Sequence, residues 1–271
     1  MPRSRKVYPR NLLTVFPKPS AELVCLLVRI KQGTMDAVYE VLDIIRGYQI
    51  PCEGFRLDFC NDALEATCFL DVKGRADLLN SMLWKLQRIE GVSEVLYERL
   101  YERFPDFAVD VFHYPLLVLG ERALFFNVSS LGEFLRWLWM HFGTGAAALL
   151  FNMGVSIGRR LASNFKKHTR MTVIEAAEFF SILARAGGWG IFEKVRLDLE
   201  MPSLVFRVYD NWEAFQVREV LPSKMPACFL TKGLVAGVAS EFLKVPLVAE
   251  EKRCIALGDD FCEFHLSPES K

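Results

Sequence analysis

Three cysteines and one glutamate near the end of the chain constrain its fold more than any other feature. They are Cys228, Glu251, Cys254 and Cys262. Three thiolates and a carboxylate are a full tetrahedral ligand set for zinc, so these four residues are the predicted metal ligands. Because the first of them stands well before the other three, the fold must bring two separate segments together at the site.

The last two cysteines flank a predicted turn at Gly258. Cys254 and Cys262 lie equally far from it along the chain. A hairpin centred on the turn would place them opposite each other, where Cβ atoms are about 4.5–5.5 Å apart. Glu251 comes earlier on the same strand, so a bend or bulge must turn it to the same side. Cys228 is predicted on a helix that packs against this hairpin, and a metal would therefore tie helix to sheet.

Other interpretations of these cysteines stay open. Cys254 and Cys262 could form a cross-strand disulfide, or the thiols could be buried as small apolar side chains. An iron–sulfur cluster is a further alternative, although such clusters usually take four thiolates. If the ion is zinc, four protein ligands leave no open position on it, so the expected role is structural rather than catalytic.

The same residues resemble a known family. The spacing Glu-x-x-Cys-x-x-x-Gly-Asp-x-x-Cys at residues 251–262, after helical glycines at Gly233 and Gly237, is similar to the closing motif of 4-vinyl reductase domains. That family includes sensory domains of phenol-responsive activators, in which a cysteine at the position of Cys228 is the fourth zinc ligand. The resemblance covers about residues 113–266. It implies a mixed α/β domain with the fold of nitric-oxide-signalling proteins and TRAPP subunits, holding a small hydrophobic or aromatic ligand.

An earlier region, residues 21–105, shows a second pattern. Strand-like and amphipathic helical runs alternate there as βαββαβ, the order of a ferredoxin-like fold. With Gly33 in the turn after the first strand and Gly91-Val92-x-x-Val95 opening the last, this region resembles an ACT domain. The resemblance implies side-by-side dimerisation, or amino-acid binding near that turn. The predicted fold class is therefore α+β, with an ACT-like domain followed by the 4-vinyl-reductase-like domain.

The predicted organisation has three parts. Residues 1–20 contain five basic residues, four prolines and no acidic residue, which is typical of a basic arm prone to disorder. The ACT-like domain follows over residues 21–105 and the zinc-binding ligand domain over residues 106–271. The linker between the domains is predicted at residues 105–111.

Within the second domain, an uncharged run from residue 137 to residue 158 is long enough to span a bilayer. Glycines near its middle favour two packed helices instead, over residues 129–142 and 146–165, so no membrane partner is expected. The later predicted elements are a capped helix at 172–186, strands at 189–199, 204–208 and 212–219, a helix at 223–242, and a hairpin of 245–256 with 261–266.

Aromatic residues are the remaining cue to a ligand. The chain has 22 phenylalanines, and many aromatic side chains lie on the predicted helices and strands of the second domain. Phe179 and Trp189 are the candidate pocket residues, because the helix and the first strand meet between them at Gly187-Gly188. The alternative is that these rings are ordinary core. The sequence does not indicate a His or Trp pair that would hydrogen-bond a ligand hydroxyl, so a mainly apolar ligand is favoured.

Several function classes lack support in the sequence. No glycine-rich phosphate loop, Gly-x-Ser-x-Gly elbow or His-x-x-x-His pair is present. Lysine plus arginine and aspartate plus glutamate both total 33, so no net field attracts nucleic acid. Seven cysteines without a secretory signal favour the reducing cytoplasm. The first four of them, in strand-like runs, are predicted to be buried: Cys25, Cys52, Cys60 and Cys68.

The sequence therefore predicts a cytoplasmic, homodimeric, ligand-binding or sensory regulatory protein rather than an enzyme. Its expected cofactor is structural zinc, and its expected partners are a small hydrophobic or aromatic ligand and an amino acid at the ACT-like domain. The family name supplies one alternative, a tetrapyrrole-handling enzyme or accessory factor. A structural scaffold subunit is another.

Overall fold

The computed structural model of the protein describes residues 15–31, 35–60, 63–218 and 225–268. The chain divides into two compact units, Met1–Pro115 and Leu116–Lys271. Most of the predicted basic arm, residues 1–14, lies outside the described residues, as does the turn with Gly33. The division between the units falls after residue 115, whereas the sequence placed it after residue 105.

In the described part of the N-terminal unit, two helices accompany a four-stranded antiparallel sheet. Its elements are β1 (Val15–Pro17), β2 (Leu23–Lys31), α1 (Met35–Gly47), β3 (Cys52–Cys60), β4 (Ala63–Asp71), α2 (Ala76–Leu86), β5 (Val92–Arg99) and β6 (Phe107–Val109). The sheet order is β3-β4-β2-β5. The elements from β2 to β5 confirm the predicted βαββαβ order, which is the ferredoxin-like arrangement.

Both faces of this sheet are covered, which explains why β2 and β4 are almost wholly apolar. Helices α1 and α2 pack on one face through residues at helical spacing, such as Val38 and Val41 of α1. The other face packs against Ala108, and the Phe16 ring meets the Phe69 ring edge-on at 5.3 Å. β1 and β6 pair antiparallel over this face. The predicted linker at 105–111 is therefore wrong, because its central residues form β6.

The described residues of the C-terminal unit form five helices and a second four-stranded sheet. Its elements are β7 (Leu117–Val118), β8 (Glu121–Arg122), α3 (Val128–Phe142), α4 (Thr144–His168), α5 (Val173–Ala186), β9 (Ile191–Asp198), β10 (Ser203–Tyr209), α6 (Trp212–Val217), α7 (Phe229–Leu243), β11 (Leu247–Arg253) and β12 (Cys262–Pro268). The antiparallel sheet has the order β11-β12-β10-β9. Together the two units make the predicted α+β fold class.

Two local predictions in this unit have different outcomes. Thr172 and Glu175 form the expected capping box at the start of α5. The strand predicted at residues 212–219 is wrong, because α6 occupies most of it. The Asn211 side chain accepts a hydrogen bond from the Glu213 amide at 3.2 Å and so caps that helix.

The uncharged run at 137–158 forms the end of α3 and the first part of α4, as predicted. Gly143 separates the two helices with a φ of 51°, a conformation that favours glycine. Among the described residues, no helix is long and apolar enough to cross a membrane.

Glycines bring α4 and α7 into backbone contact. A Cβ atom added at Gly233 of α7 would lie 2.1 Å from the carbonyl oxygen of Phe151 on α4, and one added at Gly154 would lie 2.2 Å from that of Leu230. Residues 233–239 of α7 are all buried, so this helix is enclosed on every side. This packing fixes the start of α7, where Cys228 lies.

Candidate metal centre

The four predicted ligands converge. Cys228, Glu251, Cys254 and Cys262 are all buried, and one potential ligand atom of each lies within 4.8 Å of every other. The Sγ atom of Cys228 is 3.4 Å from that of Cys262 and 3.9 Å from that of Cys254. Two thiolates bound to one tetrahedral zinc at about 2.3 Å each lie about 3.8 Å apart. The sulfur separations therefore suit a single ion.

The first ligand comes from a helix end. Cys228 is the residue before α7, at its N-cap, and not inside the helix predicted to begin at residue 223. Its amide donates a hydrogen bond to Glu251 Oε2 at 3.1 Å. The Ala227 amide donates to the Sγ atom of Cys254 at 3.4 Å. The start of α7 is thus linked to the β11–β12 connection by its backbone as well as by its thiol.

The other three ligands come from that connection. The β11–β12 ladder shifts register between Glu251 and Arg253, which is the bulge that the ligand spacing required. The last pair of the ladder is Arg253 with Glu263, a register centred on Gly258 as predicted. Cys254 and Cys262 therefore follow next to each other just beyond the end of the ladder, before a short 3₁₀ turn at Ile255–Leu257. The Asp259 carboxylate closes this turn by accepting the Cys254 amide at 2.9 Å.

Charge and hydrogen bonding at the cluster fit a bound cation. The buried Glu251 Oε1 atom has no hydrogen-bond partner among the described residues. Burial raises the pKa of Glu251 to about 9 and raises the pKa of Cys228 well above its usual value. The Ile255 amide donates to the Sγ atom of Cys262 at 3.4 Å, as an amide does to a metal-bound thiolate. A divalent cation would reverse these pKa shifts by stabilising the ionised ligands.

Glu213 is a functional residue that the sequence reasoning missed. Its carboxylate is fully buried and accepts hydrogen bonds from the amides of Leu230 and Thr231, both at 2.8 Å. It therefore satisfies two free amides in the first turn of α7 and holds that turn in place. Burial raises the pKa of Glu213 to about 7. The helix-capping residue Asn211 was the local signal that could have placed it on a helix.

Lys232 was also missed. It lies on the first turn of α7, and its ammonium group sits 4.2 Å from the centre of the Phe229 ring. Burial lowers the pKa of Lys232, while the negative charges of Glu251, Glu213 and Cys228 act in the opposite direction. Its cation thus lies in the field of the acidic cluster and offsets part of that charge.

The two candidate ligand-binding residues pack against different aromatic partners. The Phe179 ring packs edge-on against Phe165, with ring centres 5.2 Å apart. The Trp189 ring packs edge-on against Trp212 at 5.9 Å, beside an open groove of about 240 Å³. Neither residue lines an apolar cavity that lies elsewhere in this unit.

That cavity lies between α5, α7 and the β9–β10 strands. It has a volume of about 20 Å³, and all its lining side chains are apolar, including Phe180, Phe206, Val235 and Phe242. Phe180 lines it rather than the predicted Phe179, because neighbouring residues on a helix point in different directions.

These features agree with a comparison to known families. Residues 205–268 match the family model of the 4-vinyl reductase domain, and all four residues of the cluster lie within that match. The motif at residues 251–262, which indicated this likeness, lies inside the matched part of the C-terminal unit.

Known relatives and structures extend this likeness. The uncharacterised protein MJ0150 of Methanocaldococcus jannaschii is 25% identical over 129 residues, which cover 48% of this chain and 69% of that protein. MJ0745 of the same organism is 44% identical over 46 residues, 17% of this chain and 25% of that protein. The crystal structure of the phenol-responsive sensory domain of the transcription activator PoxR with phenol has a TM-score of 0.51 at 20% identity, and the match covers 55% of this chain and 78% of that one. That last likeness is one of fold.

Proposed function

We propose that this protein is a ligand-binding regulatory protein whose 4-vinyl reductase domain is held together by structural zinc and accepts a small, mainly apolar molecule. The observation that carries the proposal is the buried cluster of three thiols and one carboxylate inside the family match. The PoxR sensory domain, which shares the fold, was crystallised with phenol. That precedent supports ligand binding over catalysis.

The zinc would be held by Cys228, Glu251, Cys254 and Cys262. Zinc would supply positive charge to ligands that are buried together, and with four protein ligands it would keep no position for a substrate. Its effect would be to fasten the start of α7 to the β11–β12 connection. Thiolate ligands also need a reducing compartment, which supports the predicted cytoplasmic location.

The ligand would occupy the cavity between α5, α7 and the β9–β10 strands. Its wholly apolar lining offers no hydrogen bond, so the preferred ligand is a hydrocarbon or an aromatic with little polar surface. At about 20 Å³ the cavity is far smaller than the roughly 300–1,000 Å³ of ordinary ligand pockets. Binding would therefore have to move lining side chains, and this movement would be the signal passed to a partner.

Ligand-induced thermal shifts test this proposal. We expect aromatic hydrocarbons, simple phenols or fatty acids to raise the melting temperature of the full chain, because a ligand that binds only the folded state stabilises it. Ala177→Leu would fill the cavity and abolish the shift. Ala186→Leu, on the exposed end of the same helix, would leave it unchanged. Absence of any shift across the panel, or an undiminished shift in Ala177→Leu, would refute ligand binding at this cavity.

The role of the N-terminal unit stays a prediction from its ACT-like order. We propose that it binds an amino acid or contributes to dimerisation. The turn with Gly33, where an amino acid is expected, lies outside the described residues. Adding the twenty amino acids singly to the same thermal-shift screen would detect such binding as a rise in the melting temperature of the wild-type chain.

A further inference from the structure

The outer face of the C-terminal sheet carries a groove that is separate from the apolar cavity. Side chains alternate between the two faces of a strand, so the buried Leu204 and Leu266 leave Ser203 and Ser267 on the outer face. The groove there has a volume of about 320 Å³, at the lower end of the range for ligand sites. The cavity between α5 and α7 lies on the inner face of the same sheet, so each space can hold its own ligand.

Hydrogen-bond donors from all four strands of this sheet line the outer groove. They are Arg196 on β9, Ser203 on β10, Lys252 on β11, and His265 and Ser267 on β12. The register of β10 with β12 places the two serines beside each other on neighbouring strands, where Cβ atoms are about 4.5–5.5 Å apart. Between these donors the lining is apolar and includes Val205 and Val248. The groove thus combines several donors with an apolar floor.

The guanidinium group of Arg196 is an unpaired charge in this groove. Its Nη2 atom lies 3.5 Å from Ser203 Oγ, and no carboxylate among the described residues forms an ion pair with it. Arginines on other strands differ, because Arg29, Arg56 and Arg207 each pair with a glutamate or an aspartate. A guanidinium without a carboxylate partner can offer two parallel hydrogen bonds to an oxyanion.

The acidic side chains around the groove already have partners. Glu250, which lines the groove, pairs with Lys252 at 2.5 Å. Glu263, on the neighbouring strand, accepts a hydrogen bond from Arg207 at 2.7 Å. The Asp198 carboxylate accepts two backbone amides in the β9–β10 turn, both at 3.0 Å. The unpaired guanidinium on β9 therefore gives the groove a positive charge that favours an anion.

We propose that the outer groove is a second ligand site, which binds a small molecule with an oxyanion, a phosphate or a carboxylate, on a short apolar body. Arg196 holds two oxygen atoms of the anion, and the hydroxyl groups of Ser203 and Ser267 donate to it. Val205 and Val248 contact the apolar body. The nearby glutamates keep the excess of positive charge small, so a single anionic group fits this site better than the many phosphates of a nucleic acid.

Isothermal titration calorimetry of the full chain in low salt tests this groove with two probes, inorganic phosphate and benzoate. We expect at least one probe to bind, and Arg196→Gln to weaken that binding about tenfold or more, because charge-assisted hydrogen bonds are lost. Arg170→Gln is the matched control, since Arg170 is an exposed arginine of the same unit outside the groove. It should bind the probe as the wild type does. The probe that binds identifies the anionic group as phosphate or carboxylate.

Three results would overturn the proposal. The first is a wild type that binds neither probe, and the second is binding that survives Arg196→Gln. The third is an equal loss in Arg170→Gln, which would indicate general attraction to surface charge. If Arg196→Gln loses the circular dichroism spectrum of the wild type, the double variant Ser203→Ala with Ser267→Ala decides. Weaker binding of the probe by that variant supports the site, and unchanged binding refutes it.

Discussion

Both units of this protein bury cysteines, and comparing the two sets separates packing from metal binding. In the N-terminal unit, Cys25 and Cys68 lie on neighbouring strands but belong to the cores on opposite faces of the sheet. In the C-terminal unit, three thiols and Glu251 converge within 4.8 Å. Burial raises the pKa of Cys25 to about 12, so its thiol stays neutral and packs as a small apolar side chain. What distinguishes the second set is the buried Glu251 carboxyl beside the thiols, which can stay ionised there only if a cation is close.

The largest expected difference between the two sets is the effect of removing one thiol. If the cluster holds zinc as proposed, Cys254→Ala should lose that zinc and lower the free energy of unfolding of the C-terminal unit by about 4 kcal/mol or more, because metal binding would then be part of its folding energy. Cys25→Ala should cost only about 1–2 kcal/mol, through lost packing, and keep the metal. Metal analysis and chemical denaturation of both variants check this. Equal costs with equal metal content would mean that both sets serve only packing.

The next difference concerns how helices pack in each unit. Gly233→Ala places a Cβ atom 2.1 Å from a backbone oxygen of α4, so α4 and α7 must separate at a cost of about 3 kcal/mol. Gly47→Ala in α1, where a Cβ atom meets nothing within 4 Å, should change stability by less than about 1 kcal/mol, in either direction. Chemical denaturation measures both. A tolerated Gly233→Ala would contradict the backbone contact between α4 and α7.

A buried carboxylate should make the C-terminal unit sensitive to pH. Burial raises the pKa of Glu213 from 4.5 to about 7, so its contribution to stability is fully present below pH 4.5 and is lost as the pH rises through about 7. Glu213→Gln should flatten the fall in stability over this range. Melting temperatures of both proteins, taken from pH 5 to pH 8 with zinc in excess, measure it. Parallel pH profiles would contradict a raised pKa for Glu213.

Surface ion pairs should matter little in either unit. Hydrogen bonding to Lys166 and Lys244 lowers the pKa of Glu241 to about 2, so its contribution is lost as the pH falls from 4.5 towards 2. Because Lys244 is 71% exposed and the Lys166 and Glu241 side chains are about 30% exposed, solvent screens these pairs, and Glu241→Gln should cost only about 0.5 kcal/mol at neutral pH. Glu98→Gln, which removes a partner of Arg103 in the N-terminal unit, should cost about as little. Denaturation in low and high salt tests both variants.

The sequence predicted local order better than pairing over long distances. The helices and strands of the βαββαβ region followed from their apolar periodicity. β6 did not, because its partner β1 lies far earlier in the chain and each strand has only three residues. The prediction that all four early cysteines are buried is wrong at Cys52. That residue is exposed at the start of β3, which is an edge strand; the side chain of Cys60 lies outside the described residues.

The candidate site likewise has one part that the sequence predicted and another part that it did not. Residue type and spacing, together with the family resemblance, predicted Cys228, Glu251, Cys254 and Cys262 as ligands, and the spacing required the bulge that β11 contains. It could not identify Glu213, since a buried carboxylate there makes sense only once the start of α7 has packed against it. The sequence also could not place the cavity, because its lining depends on which face of α5 is buried. Neighbouring residues of the helix, such as Phe179 and Phe180, point in different directions, and only Phe180 lines the cavity.

Zinc K-edge X-ray absorption of the purified protein tests the central claim most directly. A structural zinc on this cluster predicts about one ion per chain with three sulfur atoms at about 2.3 Å and one oxygen at about 2.0 Å. Protein without bound metal, or a metal surrounded only by oxygen and nitrogen, would show that the convergence of these four side chains serves some other purpose.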